Sequence, residues 1–275
     1  MPNEPEEKVD QPLPYQVEDL TARSHMRFPM GEVSDFGEYY MRPDGKKYSY
    51  LGRAPQVAKF TTIFEDINRF DSATGVSGAI SFVGNGNRIQ SGGLAAGFAD
   101  LFLPLGDLTT PTIPAFEETA FNSAFIISDI GGGAAGDDGA FYIGVEDNAG
   151  TFNGTTLSLT GSHQYGFKAI KDEGVVTLYA TSGNVVEGEK TTLVGTLIES
   201  EFLFLAAVCE SPNEVRFRVK SATIDFTSKH ITNIPSATKL TPYCGRIFVT
   251  NLNTADEFQL AIGEYNFEKF SGALY

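Results

Sequence analysis

The stretch 140–180, AFYIGVEDNAGTFNGTTLSLTGSHQYGFKAIKDEGVVTLYA, constrains the fold more than any other part of the chain. Residues 140–145 form one strand-like run. Runs 155–159, 164–171 and 175–180 form three more. In the last of them Val176, Leu178 and Ala180 alternate with Val175, Thr177 and Tyr179, the period of two that a half-buried strand needs. Lys171-Asp172-Glu173-Gly174 predicts a short hairpin turn, with glycine where a positive φ is required. A meander of this kind buries one face, so a second sheet has to cover it.

The rest of the chain repeats the pattern. Runs 57–64, 79–83, 88–90, 97–103, 121–127, 192–198, 202–209, 215–220, 222–226, 244–251 and 258–267 read as strands between Gly, Asn, Asp and Pro turns. The run 202–209 is so apolar that both its faces are expected to be covered. In 215–220, Val215, Phe217 and Val219 alternate with Arg216, Arg218 and Lys220, which predicts a half-exposed strand with a basic outer side. Residues 182–191 read as a charged loop. Short strands roughly eight to twelve residues apart, with no helix longer than two turns, predict an all-β sandwich or barrel. Twenty-two Phe, 29 Gly and no Trp fit a phenylalanine-filled core between tight turns.

The 275 residues divide into an extended N-terminal arm, 1–57, and a sandwich domain, 58–275. The first fourteen residues hold Pro2, Pro5, Pro12 and Pro14 with mostly acidic residues between them. Such a segment has too little apolar surface to offset its ordering entropy. Phe28, Phe36, Tyr39 and Tyr40 then crowd together with no period, and they need a surface to pack on. Either the main domain or another chain supplies it; the functional version is an arm that grips a neighbour. Pro43-Asp44-Gly45 is a turn signal, with 46–51 as one strand of the hairpin it closes.

A net charge of −15 argues against nucleic acid and anionic membrane as partners, because both need clustered Lys and Arg. No apolar run approaches a membrane span, and the acidic start is no secretory signal, so synthesis in a cytosol is expected. Cys209 and Cys244 lack metal-site spacing; they read as free buried thiols or as a disulfide across the sandwich.

No catalytic motif emerges, and the chain does not read as an enzyme. Glu199 and Glu201 share one side of a strand, but at its solvated edge rather than across a sugar-sized gap. Glu146, Asp147, Asn148 and Asn153, with Asp137 and Asp138, offer hard oxygens, yet their spacing fits plain turn chemistry. No metal and no cofactor are expected. His25, His163 and His230 are scattered, and there is neither a nucleophile elbow nor a phosphate loop. Without Trp, a sugar face would have to stack on tyrosine, and Tyr142 and Tyr165 are the candidate ligand-binding residues.

From about residue 60 to 270 the order of features resembles the concanavalin-like jelly roll found in lectins, glucanases and virion structural proteins of tailed phages. The residues that carry the resemblance are Phe121 through Ile127 before a Gly-rich loop, Gly139-Ala140-Phe141-Tyr142-Ile143-Gly144-Val145, and Tyr165-Gly166-Phe167-Lys168-Ala169. Glu214-Val215-Arg216-Phe217-Arg218-Val219, Thr232-Asn233-Ile234-Pro235, Leu240-Thr241-Pro242-Tyr243 and Ile262-Gly263-Glu264-Tyr265 continue it. The resemblance implies an antiparallel jelly-roll sandwich and a place in a virus particle, as a capsid decoration, cement or short fibre subunit. The implied partner is the major capsid protein or another virion protein. Ordering an arm costs entropy, so avidity from a symmetric homo-oligomer is expected, with a trimer as the working unit on general grounds alone. The alternative it implies is a lectin-like module of a phage tail or fibre that reads a surface glycan.

Overall fold

The computed structural model describes residues 39–41, 47–49, 56–63, 71–75, 78–83, 86–94, 97–104, 119–129, 139–146, 163–210, 213–235, 244–251 and 258–270. These residues form seventeen strands and no helix. The strands are β1 (Tyr39–Met41), β2 (Lys47–Ser49), β3 (Gln56–Ile63), β4 (Asp71–Gly75), β5 (Ala79–Val83), β6 (Gly86–Gln90), β7 (Phe98–Pro104), β8 (Thr119–Asp129) and β9 (Gly139–Glu146). They continue with β10 (Gln164–Asp172), β11 (Val175–Asn184), β12 (Gly188–Leu197), β13 (Phe202–Glu210), β14 (Glu214–Lys220), β15 (Asp225–His230), β16 (Cys244–Asn251) and β17 (Gln259–Phe270).

Two antiparallel sheets make the sandwich. One has seven strands in the order β12-β11-β10-β9-β16-β7-β4. The other has eight: β15-β14-β13-β8-β17-β6-β5, with β3 also paired to β17. Side chains from their facing surfaces form one core. Phe121 stacks on Tyr265 with centroids 5.8 Å apart, while Phe125 meets Phe141 edge-on at 5.5 Å and Phe167 meets Phe217 edge-on at 5.6 Å. Each fully buried Phe contributes about 2 kcal/mol through the water it no longer touches.

The expected alternation is seen in β14, where Val215, Phe217 and Val219 are buried and the residues between them are half-buried. The hairpin β10–β11 turns at Glu173 and Gly174, both at positive φ (49° and 79°). The expectation that the meander buries one face fails for β9, where every residue is buried. Ala140 and Tyr142 pack with Phe248 on the face away from the core. As expected, both faces of β13 are covered: Leu203, Leu205 and Ala207 enter the core, and Phe204, Ala206 and Val208 pack with Ala120 and Ala124 outside it.

Two boundaries differ from the sequence reading. The supposed loop 182–191 holds the end of β11 and the start of β12. Its charge suits a strand because Glu189 accepts hydrogen bonds from Lys168 Nζ (2.8 Å) and Thr181 Oγ1 (2.6 Å) on neighbouring strands. The strand expected at 222–226 begins only at Asp225. Ser221 Oγ accepts from the backbone N–H groups of Thr223 and Ile224, which turns the chain first.

Tyr39 and Tyr40 lie in β1, which pairs with β2 on either side of the Pro-Asp-Gly signal, in register with Ser49 and Tyr48. Phe28 and Phe36 lie outside the described residues. Strand β3 starts at Gln56, two residues before the expected start of the sandwich domain. Cys209 is buried and is not in a disulfide, so it forms no bridge with Cys244.

Candidate functional site

The outer face of the seven-stranded sheet gathers the polar side chains that sequence spacing could not bring together. The register aligns Lys168, Tyr142, Phe248 and Asp100 in one row across β10, β9, β16 and β7. The next row is Gly166, Gly144 and Arg246, and beyond it lie Gln164 and Glu146. Neither glycine has a side chain to stand on the sheet, so the Tyr142 ring lies across the gap. Its hydroxyl sits 3.1 Å from the carbonyl oxygens of both Val145 and Tyr165 and donates to them. Burial holds this phenol well above its ordinary pKa, so it stays protonated.

Arg246 ties the face together. Its Nε donates to Asp100 Oδ1 at 2.9 Å, its second fork arm to Asp100 Oδ2 and its third nitrogen to Glu146 Oε1. All three side chains are buried. Burial raises the Asp100 pKa against the pull of Arg246. For Arg246, burial acts downward, but Asp100 and Glu146 outweigh it and hold the guanidinium charged. The carboxylates of Asp100, Glu146 and Glu189 are thus each committed to a cation. This is an ion-pair web, not an acid and a base poised across a substrate. Beside it Gln164 is fully buried, and among the described residues neither atom of its carboxamide has a hydrogen-bond partner.

Tyr165 points the other way, into the core, and donates to Thr119 Oγ1 at 2.8 Å. Tyr142 and Tyr165 are therefore on opposite faces of the sheet, both fully buried, and neither ring is open to a sugar. Glu199 and Glu201 sit at the β12–β13 turn rather than on a strand. Glu201 accepts from the Thr223 N–H at 2.7 Å and the Thr223 hydroxyl at 2.9 Å. Slight burial acts to raise its pKa, and these bonds with those of Ser221 and Ala222 bring it below the usual carboxylate value. Among the described residues no group of three His, Cys, Asp or Glu is placed to hold a metal ion. Asp137, Asp138, Asp147, Asn148 and Asn153 lie outside those residues, as does His25.

His163 is buried just before β10. His230 has the arrangement that a scattered histidine hid in the sequence. Its Nδ1 is 2.7 Å from Ser182 Oγ and its Nε2 is 2.8 Å from Thr192 Oγ1. A serine hydroxyl on an imidazole is the pair nucleophilic catalysis uses. Here, however, Ser182 and His230 are fully buried, and the second nitrogen meets a hydroxyl where a triad would put a carboxylate.

One end of the sandwich carries a different feature. Asn184 Oδ1 accepts from the N–H groups of Val186 and Glu187, and Asn184 Nδ2 donates to the Ile234 carbonyl at 3.0 Å. The Asn233 N–H donates to the Glu187 carboxylate at 2.6 Å, and Asn233 Nδ2 donates to the Glu187 carbonyl at 2.8 Å. This clamp locks the β11–β12 turn to the segment after β15. On it stand Val185, Val186 and Ile231, which are 50%, 88% and 63% exposed.

No family model matches the chain, and no curated protein sequence matches it. Solved structures do. A protein of unknown function from Shewanella oneidensis MR-1 is 13% identical, with 79% of this chain and 87% of that chain covered and a TM-score of 0.50. The lectin UEA-II complexed with galactose is 11% identical, covers 78% of this chain and 100% of its own, and has a TM-score of 0.50. The fold is a concanavalin-like jelly roll. At these identities the likeness carries the fold and nothing of a ligand. The CBM2 module of the evolved Dit of Lactobacillus casei BL23 phage J-1 is 10% identical, with 80% of this chain and 90% of its own covered, at a TM-score of 0.47, too loose to weigh.

Proposed function

We propose that the protein is a non-enzymatic structural subunit of a virus particle, a capsid-decorating, cementing or short fibre protein that works through protein–protein contact. The observation that carries this reading is the clamped tip. Large apolar side chains held rigidly in water are the usual anchors of an interface, because little entropy is lost when a partner covers them. Phe28, Phe36, Tyr39 and Tyr40 serve as the second set of anchors, on the N-terminal arm. The virion setting comes from the resemblance of the sequence, and the partner is the major capsid protein or a neighbour of it.

Two variants test the reading. Val185→Ser, Val186→Ser and Ile231→Ser together are expected to weaken association with the particle, or between copies of the chain, by at least roughly tenfold. Stability should change by less than about 1 kcal/mol, because surface positions tolerate polar exchange. Removal of the arm, residues 1–57, is expected to leave a folded sandwich that no longer joins particles. Co-sedimentation with particles and analytical ultracentrifugation read both; normal assembly by both variants would end the proposal.

The lectin-like alternative rests on Gln164, a buried carboxamide with neither atom bonded among the described residues, on a sheet face rich in polar groups. The complex of UEA-II with galactose makes galactose the first probe. Selective glycan binding on an array that disappears in Gln164→Ala would favour this reading. An array with no signal would leave assembly alone.

A further inference from the structure

Along one side of the sandwich the two sheets end on β12 and β15, the edge strands of the seven- and eight-stranded sheets. Toward the end of β12 and the start of β15 the gap between them is open. It forms a groove of about 440 Å3 with Val194, Ile198, Ile224 and Phe226 among its lining. At the other end the gap is tied shut by polar bonds. His230 reaches from β15 to Ser182 on β11 (2.7 Å) and Thr192 on β12 (2.8 Å), with its ring 4.8 Å from that of Phe217. Beyond it Lys190 Nζ donates to Thr232 Oγ1 at 3.1 Å.

We infer that His230 is a proton-operated latch: neutral, it ties β15 to β11 and β12; protonated, it releases that side of the sandwich and widens the groove.

The reason is the count of donors. A neutral imidazole has one N–H and one lone pair, so one hydroxyl accepts from it and the other donates to it. Imidazolium has two N–H groups and no lone pair, so the hydroxyl that donated has to turn and accept, and its own proton is left without a partner on the ring. The new charge would also be fully buried. The groups that face it do not compensate. Strand β14 offers Val215, in register with His230, and the Phe217 ring, while Glu214 pairs with Lys229 at 3.3 Å. Strand β11 offers Ser182, and β12 offers Thr192 and the like charge of Lys190. Strand β10 places Tyr165 opposite Ser182, with the buried His163 two residues earlier, and the nearby carboxylates are engaged elsewhere: Glu187 by Asn184 and the Asn233 N–H, Glu189 by Lys168 and Thr181.

Burial first, and Lys190 second, lower the His230 pKa from 6.5 to about 4. The folded value lies below the unfolded one, so this stabilisation is complete above pH 6.5 and is lost as pH falls toward 4. Across that window the ratio of closed to open edge falls by up to roughly 300-fold.

Hydrogen exchange of the full chain at about pH 7 and about pH 4.5, corrected for intrinsic rates, tests the latch. Amides of β12 and β15 are expected to lose protection at least roughly tenfold at the lower pH, while β8 and β17 in the sheet centre hold theirs. His230→Gln, which keeps a neutral donor and acceptor, should abolish the response; His163→Gln should not. An unchanged acid response in His230→Gln, its loss in His163→Gln, or a loss of protection spread evenly over both sheets would overturn the inference. If His230→Gln does not fold, the ring titration of His230 by NMR decides on the wild type. A midpoint near 4 that coincides with edge opening supports the latch, and a midpoint at the ordinary 6.5 overturns it.

Discussion

Arg246→Met is expected to destabilise the protein by about 3–5 kcal/mol and to lower Tm by roughly 10 °C. The guanidinium is the common partner of Asp100 and Glu146, and all three side chains are buried. Methionine fills much of the volume, so the loss is not one of packing. It comes from two carboxylates left in a low-dielectric site without their cation. Urea unfolding at neutral pH measures the effect; a loss under about 1 kcal/mol would mean that water reaches these carboxylates freely. The variant also has a signed pH dependence. Burial already raises Asp100 above its ordinary value of 3.8, and loss of Arg246 removes the opposing pull. A carboxyl group with a raised folded pKa binds its proton more tightly in the folded state, so the variant should gain stability as pH falls through that folded pKa toward the ordinary 3.8. Replacing all three residues by apolar ones of similar size, Arg246→Met with Asp100→Leu and Glu146→Leu, should recover most of the loss. Pairing a buried charge cancels its desolvation penalty and gives little beyond that.

Gly166→Ala is expected to cost about 3 kcal/mol, although it adds one methyl group. A Cβ there would stand 2.5 Å from the Ile143 carbonyl oxygen and 2.7 Å from the Gly144 Cα. Both are backbone atoms of the adjacent strand, so β9 and β10 would have to part at the centre of the sheet. The Tyr142 hydroxyl, 3.1 Å from the same point, would be displaced from its two carbonyl partners. Gly188→Ala is the control. Its φ is +78° and nothing lies within 4 Å of an added Cβ, so only the left-handed backbone is penalised, by about 1 kcal/mol. Thermal unfolding of the two variants side by side checks the contrast. Equal losses would show that crowding at Gly166 is relieved by local movement.

Most strands were legible because alternation is a local property. In β14 the order Val215, Arg216, Phe217, Arg218, Val219 assigns a face to each side chain without knowledge of any partner. The turn at Glu173-Gly174 was legible for the same reason, since positive φ depends on the residue itself. Misread segments were those in which long-range pairing overrode composition. The charged stretch around Glu189 becomes a strand because Lys168 neutralises the carboxylate from β10 and Thr181 donates a hydrogen bond to it from β11. The site held one unused signal: Asp100 in FADLFLP and Arg246 in CGRIFVTN are single charges inside apolar strands, and each demands a countercharge nearby.

By itself, then, the sequence determined that this chain forms many short antiparallel strands around a phenylalanine core, because residue order alone decides which side chains share a face. Only the tertiary structure decided which faces are covered and which groups meet. Asp100 and Arg246, 146 residues apart, are neighbours because β7 pairs with β16. Tyr142 and Tyr165, which read alike in sequence, are separated onto opposite faces by the register of β9 and β10. His230 lies between two hydroxyls because the edges of two different sheets converge there. A residue's face is settled by its immediate neighbours, but its partners are settled by strand order and register, which only the packed sandwich fixes.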